Sequence, residues 1–168
     1  MASPYTLEKW IWTTDDFEQM GWHDVRVHAL AEESENWELL LDIDYLFKWN
    51  EPAPGETYYS FWIAPCTLVF HNVADLHIDI EPISSSVMQI SNVSREGPRP
   101  PRLGFENQNV QVWNWTMEFF NGATEFESTG YTQFVRQAPV FNNRSQDLTL
   151  SERGGFCFDR GRTDRANK

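Results

Sequence analysis

One stretch decides the fold: Trp37-Glu-Leu-Leu-Leu-Asp-Ile-Asp-Tyr-Leu-Phe-Lys-Trp49. Apolar residues occupy every second position from Leu39 to Phe47, and two of the four positions between them, Asp42 and Asp44, are charged. Successive side chains of a β-strand point to opposite faces, so this period of two predicts a strand with one buried and one polar face. Leu40 and Leu46 interrupt the polar face, which predicts that part of it is covered as well.

Alternating or apolar runs on both sides of this strand predict an all-β domain with antiparallel pairing. We expect a single-domain antiparallel β-sandwich or flattened barrel. One short N-terminal helix is predicted after Thr13 or Thr14, since Asp15 and Asp16 suit the first turn of a helix. The predicted strands cover 25–30, 37–49, 58–70 with a bend at Ala64-Pro65, 76–80, 87–93, 110–120, a return strand to 139 and 148–158.

A hairpin is predicted at Asn121-Gly122, the residue pair that type I′ turns favour. A two-residue loop at these positions would place Glu118 opposite Glu125. An opposed carboxylate pair can lie about 5–5.5 Å apart, as in a retaining glycosidase, so a site of that type stays open.

The buried faces of the predicted strands define an expected core. It comprises Leu39, Leu41, Ile43, Phe47, Phe61, Leu68, Ile78, Met117, Phe119 and Phe126. We expect residues 1–158 to form the single β domain. Residues 159–168 are polar apart from one alanine, and we expect a disordered basic tail there.

The charge is strongly negative and unevenly distributed. The chain has a formal net charge of −12, with 21 acidic against seven basic residues in 1–141 and four against six in 142–168. A negative field repels phosphate backbones, which argues against nucleic-acid binding, and it accelerates encounters with basic proteins. A basic protein is therefore the expected partner.

The compartment is predicted from what the chain lacks. Met1-Ala2-Ser3-Pro4 has neither the basic start nor the apolar run of a signal peptide, and no run approaches the roughly 20 apolar residues of a membrane helix. Cys66 and Cys157 are too few for a disulfide framework. We expect a cytoplasmic protein with reduced thiols, no membrane contact and no cofactor.

Two groups of residues are the favoured binding candidates. Glu38, Asp42 and Asp44 share the polar face of the strand quoted above, which we expect to face solvent and to contact the partner. The second group is Trp22-His23-Asp24, in which a histidine adjoins an acid between two predicted elements.

Two alternatives remain open. His77, Asp79 and Glu81 lie on one face of a predicted strand and could begin a metal-dependent hydrolase site, although no metal is favoured. Trp10, Trp12, Trp113 and Trp115 could form stacking platforms of a small-molecule or carbohydrate-binding β-barrel, but they suit a core equally well. No nucleophile motif of the Gly-x-Ser-x-Gly type occurs.

The segment Met20-Gly-Trp-His-Asp24, together with the strand Leu39–Phe47, resembles small all-β bacterial proteins without a characterised function. Some of these are classed as immunity proteins of toxin systems. The resemblance covers the first fifty residues and carries no catalytic residues with it. It implies a non-catalytic, cytoplasmic, immunity-type neutraliser of a basic partner.

Overall fold

The computed structural model describes residues 4–81, 87–102 and 109–161. Within these ranges the chain forms ten β-strands, one 3₁₀ helix and one short α-helix, so the all-β prediction is confirmed. The strands are β1 (Ile11–Thr13), β2 (Val25–Glu33), β3 (Glu38–Asn50), β4 (Ser60–His71), β5 (Ala74–Ile80), β6 (Gln89–Arg99), β7 (Val112–Phe119), β8 (Gly122–Ser128), β9 (Gly130–Val135) and β10 (Val140–Asn142). The helices are the 3₁₀ helix Thr14–Gln19 and α1 (Leu150–Arg153). Neither has the length and apolar character needed to cross a membrane.

All ten strands belong to one antiparallel sheet with the order β1-β9-β4-β3-β2-β6-β7-β8-β5, and β10 also pairs with β4. The sheet is open, with β1 and β5 at its edges. Ring contacts join Phe70 on β4 to Trp115 on β7 at 5.2 Å and to Phe126 on β8 at 4.7 Å. Since these strands are not neighbours, the sheet bends over its own core. The predicted sandwich or flattened barrel is not confirmed.

The alternation in β3 produces the core as predicted. Leu39, Leu41 and Ile43 are fully buried on the inner face, and Leu40 and Leu46 are buried on the outer face. Eight of the ten expected core residues are buried. The exceptions are Phe47, which is half-buried, and Ile78, which is 45% exposed. Ile78 lies on the edge strand β5, which has a neighbour on one side only.

The predicted bend at Ala64-Pro65 is wrong, because β4 runs unbroken from Ser60 to His71. The β9 ladder on one side of β4 begins at Cys66, and the β10 ladder ends at Ile63. Pro65 therefore lies where one partner strand has left the sheet and the next has not yet joined it. The missing N–H of a proline is tolerated at such a gap.

The predicted hairpin exists, but its register is wrong. Phe119 pairs with Gly122, which makes the two-residue loop Phe120-Asn121, and Glu118 faces Ala123 instead of Glu125. A glycine is required at position 122 because the neighbouring strand β5 approaches its backbone closely, and not because of the turn. A Cβ atom at Gly122 would lie 2.0 Å from the backbone oxygen of Asp79 on β5. The opposed carboxylate pair of a glycosidase is therefore absent at these positions.

The C-terminal part of the described chain is also different from its prediction. The strand expected over 148–158 is replaced by α1, which Thr149 caps by accepting a hydrogen bond from the Glu152 N–H. Gly154 ends the helix in the left-handed conformation. The expected disordered tail starts at Asp159, yet the carbonyl of Asp159 accepts a 2.6 Å hydrogen bond from Thr67 on β4. The rest of the expected tail, 162–168, lies outside the described residues.

Candidate functional site

The acidic side chains on the outer face of β3 are buried. Asp42 and Asp44 have no exposed surface, and Glu38 is 9% exposed. Residues 148–161, which we call the C-terminal cover, contact this face through hydrogen bonds to all three carboxylates. The prediction that these acids face solvent is wrong. With the cover in place, Asp42 and Asp44 have no surface left for a partner.

Arg153, at the end of α1, holds both aspartates. Its two terminal nitrogens donate to the two carboxylate oxygens of Asp42 at 2.6 and 2.8 Å, and its Nε donates to Asp44 at 3.0 Å. Arg136 donates a further 2.7 Å bond to Asp42. Paired N–H groups of a guanidinium match a carboxylate in geometry as well as in charge. We call Asp42, Asp44, Arg136 and Arg153 the acid–arginine cluster.

The cluster keeps both carboxylates ionised. Burial by itself raises the pKa of Asp42, but hydrogen bonds from Arg153, from Arg136 and from the N–H of Cys157 outweigh it, and the pKa is lowered. Burial acts in the same way on Asp44. There the hydrogen bonds from His28 and from the backbone N–H of Leu148 lower the pKa. The two aspartates face two arginines, so the cluster is balanced in charge.

A histidine–aspartate pair adjoins the cluster. His28 Nε2 lies 2.7 Å from Asp44 Oδ2, and the His28 side chain lines a cavity of about 470 Å³. Such a pair can serve as a general base when a nucleophile is within reach. The cavity hydroxyls are engaged elsewhere, since Ser145 Oγ donates to Asp147 and Thr149 Oγ1 to Glu152. Within the described residues, His28 has no nucleophile partner.

The candidate segment Trp22-His23-Asp24 is divided between the core and the surface. Trp22 is buried, and its indole N–H donates to Gln133 at 2.9 Å. His23 is exposed, with its Nε2 3.6 Å from Asp24 Oδ1, which is too long for a hydrogen bond. The other oxygen of Asp24 accepts a bond from Gln146. The segment anchors the start of β2, and a binding role for it stays a prediction.

The metal alternative gains no support from the geometry. His77 and Asp79 are exposed on the edge strand β5, and Glu81 is exposed just after it. No three His, Cys, Asp or Glu residues in the described ranges come together in a way that could hold a metal ion.

The four tryptophans considered as platforms belong to the interior. Trp12 and Trp115 are buried, and Trp10 and Trp113 pack against the core. Trp12 and Trp115 therefore offer no surface to a ligand, and a stacking role for the partly buried Trp10 and Trp113 stays a prediction. Both cysteines are free thiols, and burial raises the pKa of Cys66.

A different acidic surface lies on the outer face of β6, β7, β8 and β5. We call it the outer acidic face, and it consists of Glu96, Glu118, Glu125 and Asp79. All four are exposed, and none forms an ion pair with a described Lys or Arg. Glu127 on the same face is neutralised by Arg99 and Arg102.

Sequence reasoning missed the outer acidic face because the wrong hairpin register directed attention to one opposed pair. The signal was present in the sequence, because Glu118 and Glu125 occupy polar positions of the alternating patterns in β7 and β8. The basic side of the acid–arginine cluster was missed for another reason. Arg153 follows its aspartates by 111 and 109 positions, and local patterns carry no information about contacts at that distance.

Comparison with known proteins gave no match: no family model, no curated protein and no solved structure is similar to this chain.

Proposed function

We propose that this chain is a non-catalytic binding protein that docks a basic protein on its outer acidic face. One observation carries the proposal. Glu118, Glu125 and Asp79 lie on three neighbouring strands, are exposed and have no described cation to neutralise them. Carboxylates concentrated in this way favour encounter with a positively charged surface.

The arrangement of the outer acidic face reduces its own repulsion. Glu118 lies opposite Ala123, and Glu125 lies opposite Thr116 on one side and His77 on the other. Each of these carboxylates therefore has a neutral residue or a histidine directly across the ladder, where a like charge would be destabilising. The sheet holds a high density of negative charge without paying for directly opposed pairs.

The face also has a shape suited to basic side chains. A depression of about 400 Å³ is lined by residues that include Glu96 and Glu125, which have no described cation, and also Arg95 and the arginine-paired Glu127. A lysine or arginine that enters it would meet carboxylates from neighbouring strands, and arginine can bind a carboxylate through two parallel hydrogen bonds.

The identity of the partner rests on the resemblance to immunity proteins. Under that resemblance, the basic partner is a toxin or nuclease domain that this chain neutralises. A cytoplasmic location belongs to the same proposal, and the two free thiols support it because reduced cysteines are usual in that compartment.

The test is affinity capture with three immobilised proteins at about 50 and 150 mM salt. They are the wild type, the variant Asp79→Asn/Glu118→Gln/Glu125→Gln, and the control Glu8→Gln/Glu32→Gln/Glu35→Gln. Both variants lose three exposed carboxylates, so their net charge is the same. We expect a basic protein that the wild type and the control retain and the face variant does not.

The affinity of the captured protein, once purified, is then measured by calorimetry. We expect the face variant to bind at least tenfold more weakly and the control to bind within about twofold, with weaker binding at the higher salt. An equal loss in both variants would show that only net charge matters, and the docking face would be rejected.

A further inference from the structure

Two adjoining cavities lie where β3 ends and β4 begins. They have volumes of about 550 and 570 Å³ and share Tyr58 and Asn143 in their walls. Pockets for small ligands span about 300–1,000 Å³, so each cavity is large enough to hold one. We call the pair the aromatic cleft. It is separate from the outer acidic face, with which it shares no residue.

Exposed rings line the aromatic cleft. Tyr58 is 80% exposed, Tyr59 47% and Trp49 41%. Trp49 packs edge-on against Tyr59 at 6.1 Å and against Phe61 at 5.1 Å, so its orientation is fixed by neighbouring rings. His23 stacks on part of Trp49 at 6.4 Å, and the rings otherwise present flat apolar surface that the core does not use. A cluster of this kind is unusual on a surface without a ligand to cover it.

Unused hydrogen-bonding groups surround the rings. The hydroxyls of Tyr58 and Tyr59, the side-chain amides of Gln89 and Asn143, and the carboxylate of Glu51 make no hydrogen bond within the described residues. An amide both donates and accepts, a tyrosine hydroxyl does the same, and a carboxylate only accepts. A ligand that satisfies this set must both donate and accept hydrogen bonds.

We propose that the aromatic cleft binds a neutral oligosaccharide. The apolar face of a sugar ring stacks on aromatic side chains, and its hydroxyls both donate and accept. A proline-rich peptide would also stack on the rings, but its prolines have no N–H and their carbonyls only accept, so it offers fewer donors to Glu51 and to the side-chain amide oxygens than a sugar does. An anionic ligand is disfavoured because Glu51 and Glu56 line the cleft without an ion pair among the described residues, whereas Asp147 and Arg144, which also line it, are paired with Arg26 and Glu152.

The chain offers a matched control for this proposal. Trp49 and Trp37 are both exposed and lie at opposite ends of β3, roughly 40 Å apart at about 3.3 Å per residue. Removing the Trp37 ring therefore removes a similar exposed surface far from the cleft. Tyr58→Ala is the cleft variant least expected to disturb folding, because Tyr58 is the most exposed of the three cleft rings.

The experiment titrates the wild type, Tyr58→Ala, Trp49→Ala and Trp37→Ala with a panel of neutral oligosaccharides and with a proline-rich peptide, using calorimetry and NMR. We expect saturable binding of at least one oligosaccharide. Tyr58→Ala and Trp49→Ala should weaken it at least tenfold, and Trp37→Ala should leave it within twofold. Capture of a basic protein on the outer acidic face is a separate measurement, so the two proposals fail independently.

Two outcomes overturn the proposal. In one, no neutral oligosaccharide binds, or its binding is lost equally in Trp37→Ala. In the other, the proline-rich peptide binds at the cleft and the oligosaccharides do not, in which case the occupant is a peptide.

Discussion

Two acidic surfaces of the same sheet have opposite environments. The outer face of β3 carries Asp42 and Asp44, which are fully buried beneath the C-terminal cover and bound by arginines. The outer acidic face carries Glu118 and Glu125, which are exposed without a described cation. Both sets arise from strands that alternate apolar and polar residues, with acids among the polar ones. Alternation therefore identifies the face of a strand and does not show whether that face meets solvent.

The two surfaces differ because a later part of the chain supplies arginine partners to the acids of β3 only. Arg153 provides three hydrogen bonds in the geometry that two carboxylates require, and this offsets the cost of removing them from water. Within the described residues, no segment does the same for Glu118 or Glu125. The buried set should therefore control stability and the exposed set should control binding.

The largest effect is expected from Arg153→Ala. It leaves two buried carboxylates without their main partner, and breaking a buried ion pair in this way costs about 3–5 kcal/mol in the free energy of unfolding. Arg144→Ala is the matched control, since Arg144 is 73% exposed and pairs with Glu152 in the same region. We expect the control to cost at most about 1 kcal/mol in urea unfolding. Similar losses in the two variants would contradict the burial of the cluster.

The second effect is the dependence of stability on pH. Asp42 and Asp44 have a lower pKa in the folded protein than in the unfolded chain, so the folded state binds fewer protons. Their stabilisation is complete above the unfolded value of about 3.9 and is lost as the pH falls through the folded value. Urea unfolding between pH 7 and 2.5 should show this loss, and it should be smaller in Asp44→Asn. A free energy of unfolding that does not change over this pH range would contradict the lowered pKa values of the two aspartates.

An intermediate effect is expected from Gly122→Ala. Its new methyl group would collide with the Asp79 carbonyl, and relief requires β5 to move. We expect a loss of about 1–3 kcal/mol, together with weaker binding at the outer acidic face that Asp79 belongs to. Gly21→Ala is the control, because a Cβ there meets nothing within 4 Å. If Gly122→Ala is as stable as the wild type, β5 is not packed closely at this position.

The smallest effect is expected from Glu118→Gln/Glu125→Gln. Exposed side chains change stability by about 0.5 kcal/mol or less, and relief of repulsion should make this change favourable. Asp42→Asn/Asp44→Asn removes the same charge and should cost several kcal/mol, since it unpairs buried arginines. Thermal unfolding of the two double variants side by side measures the comparison directly. Equal losses of stability in the two double variants would contradict the distinction between a buried and an exposed acidic surface.

The fold was predictable where the pattern is local. The period of two in Leu39–Phe47 gave both the strand and its buried inner face, and the buried Leu40 and Leu46 were anticipated from the same segment. Failures occurred where the answer depends on a distant neighbour. Gly122 indicates a turn by its sequence, but the carbonyl of Asp79 on another strand determines its role.

The candidate site was less predictable than the fold. Glu38, Asp42 and Asp44 were correctly assigned to one face, but the chain that covers them lies more than a hundred residues later. The aromatic cleft was missed because Trp49 and Tyr58 look like core residues in a sequence. Only their positions at the end of β3 and before β4 leave them exposed.

The distance between Asp42 and Arg153 along the chain also has a consequence for synthesis in the cell. At about 5–20 residues per second, a ribosome needs roughly 5–20 s to translate the 111 residues that separate them. During that interval the aspartates of β3 have no arginine partner from the C-terminal cover. The acid–arginine cluster therefore cannot be complete, and the outer face of β3 cannot take its final buried form, until Arg153 has emerged from the ribosome.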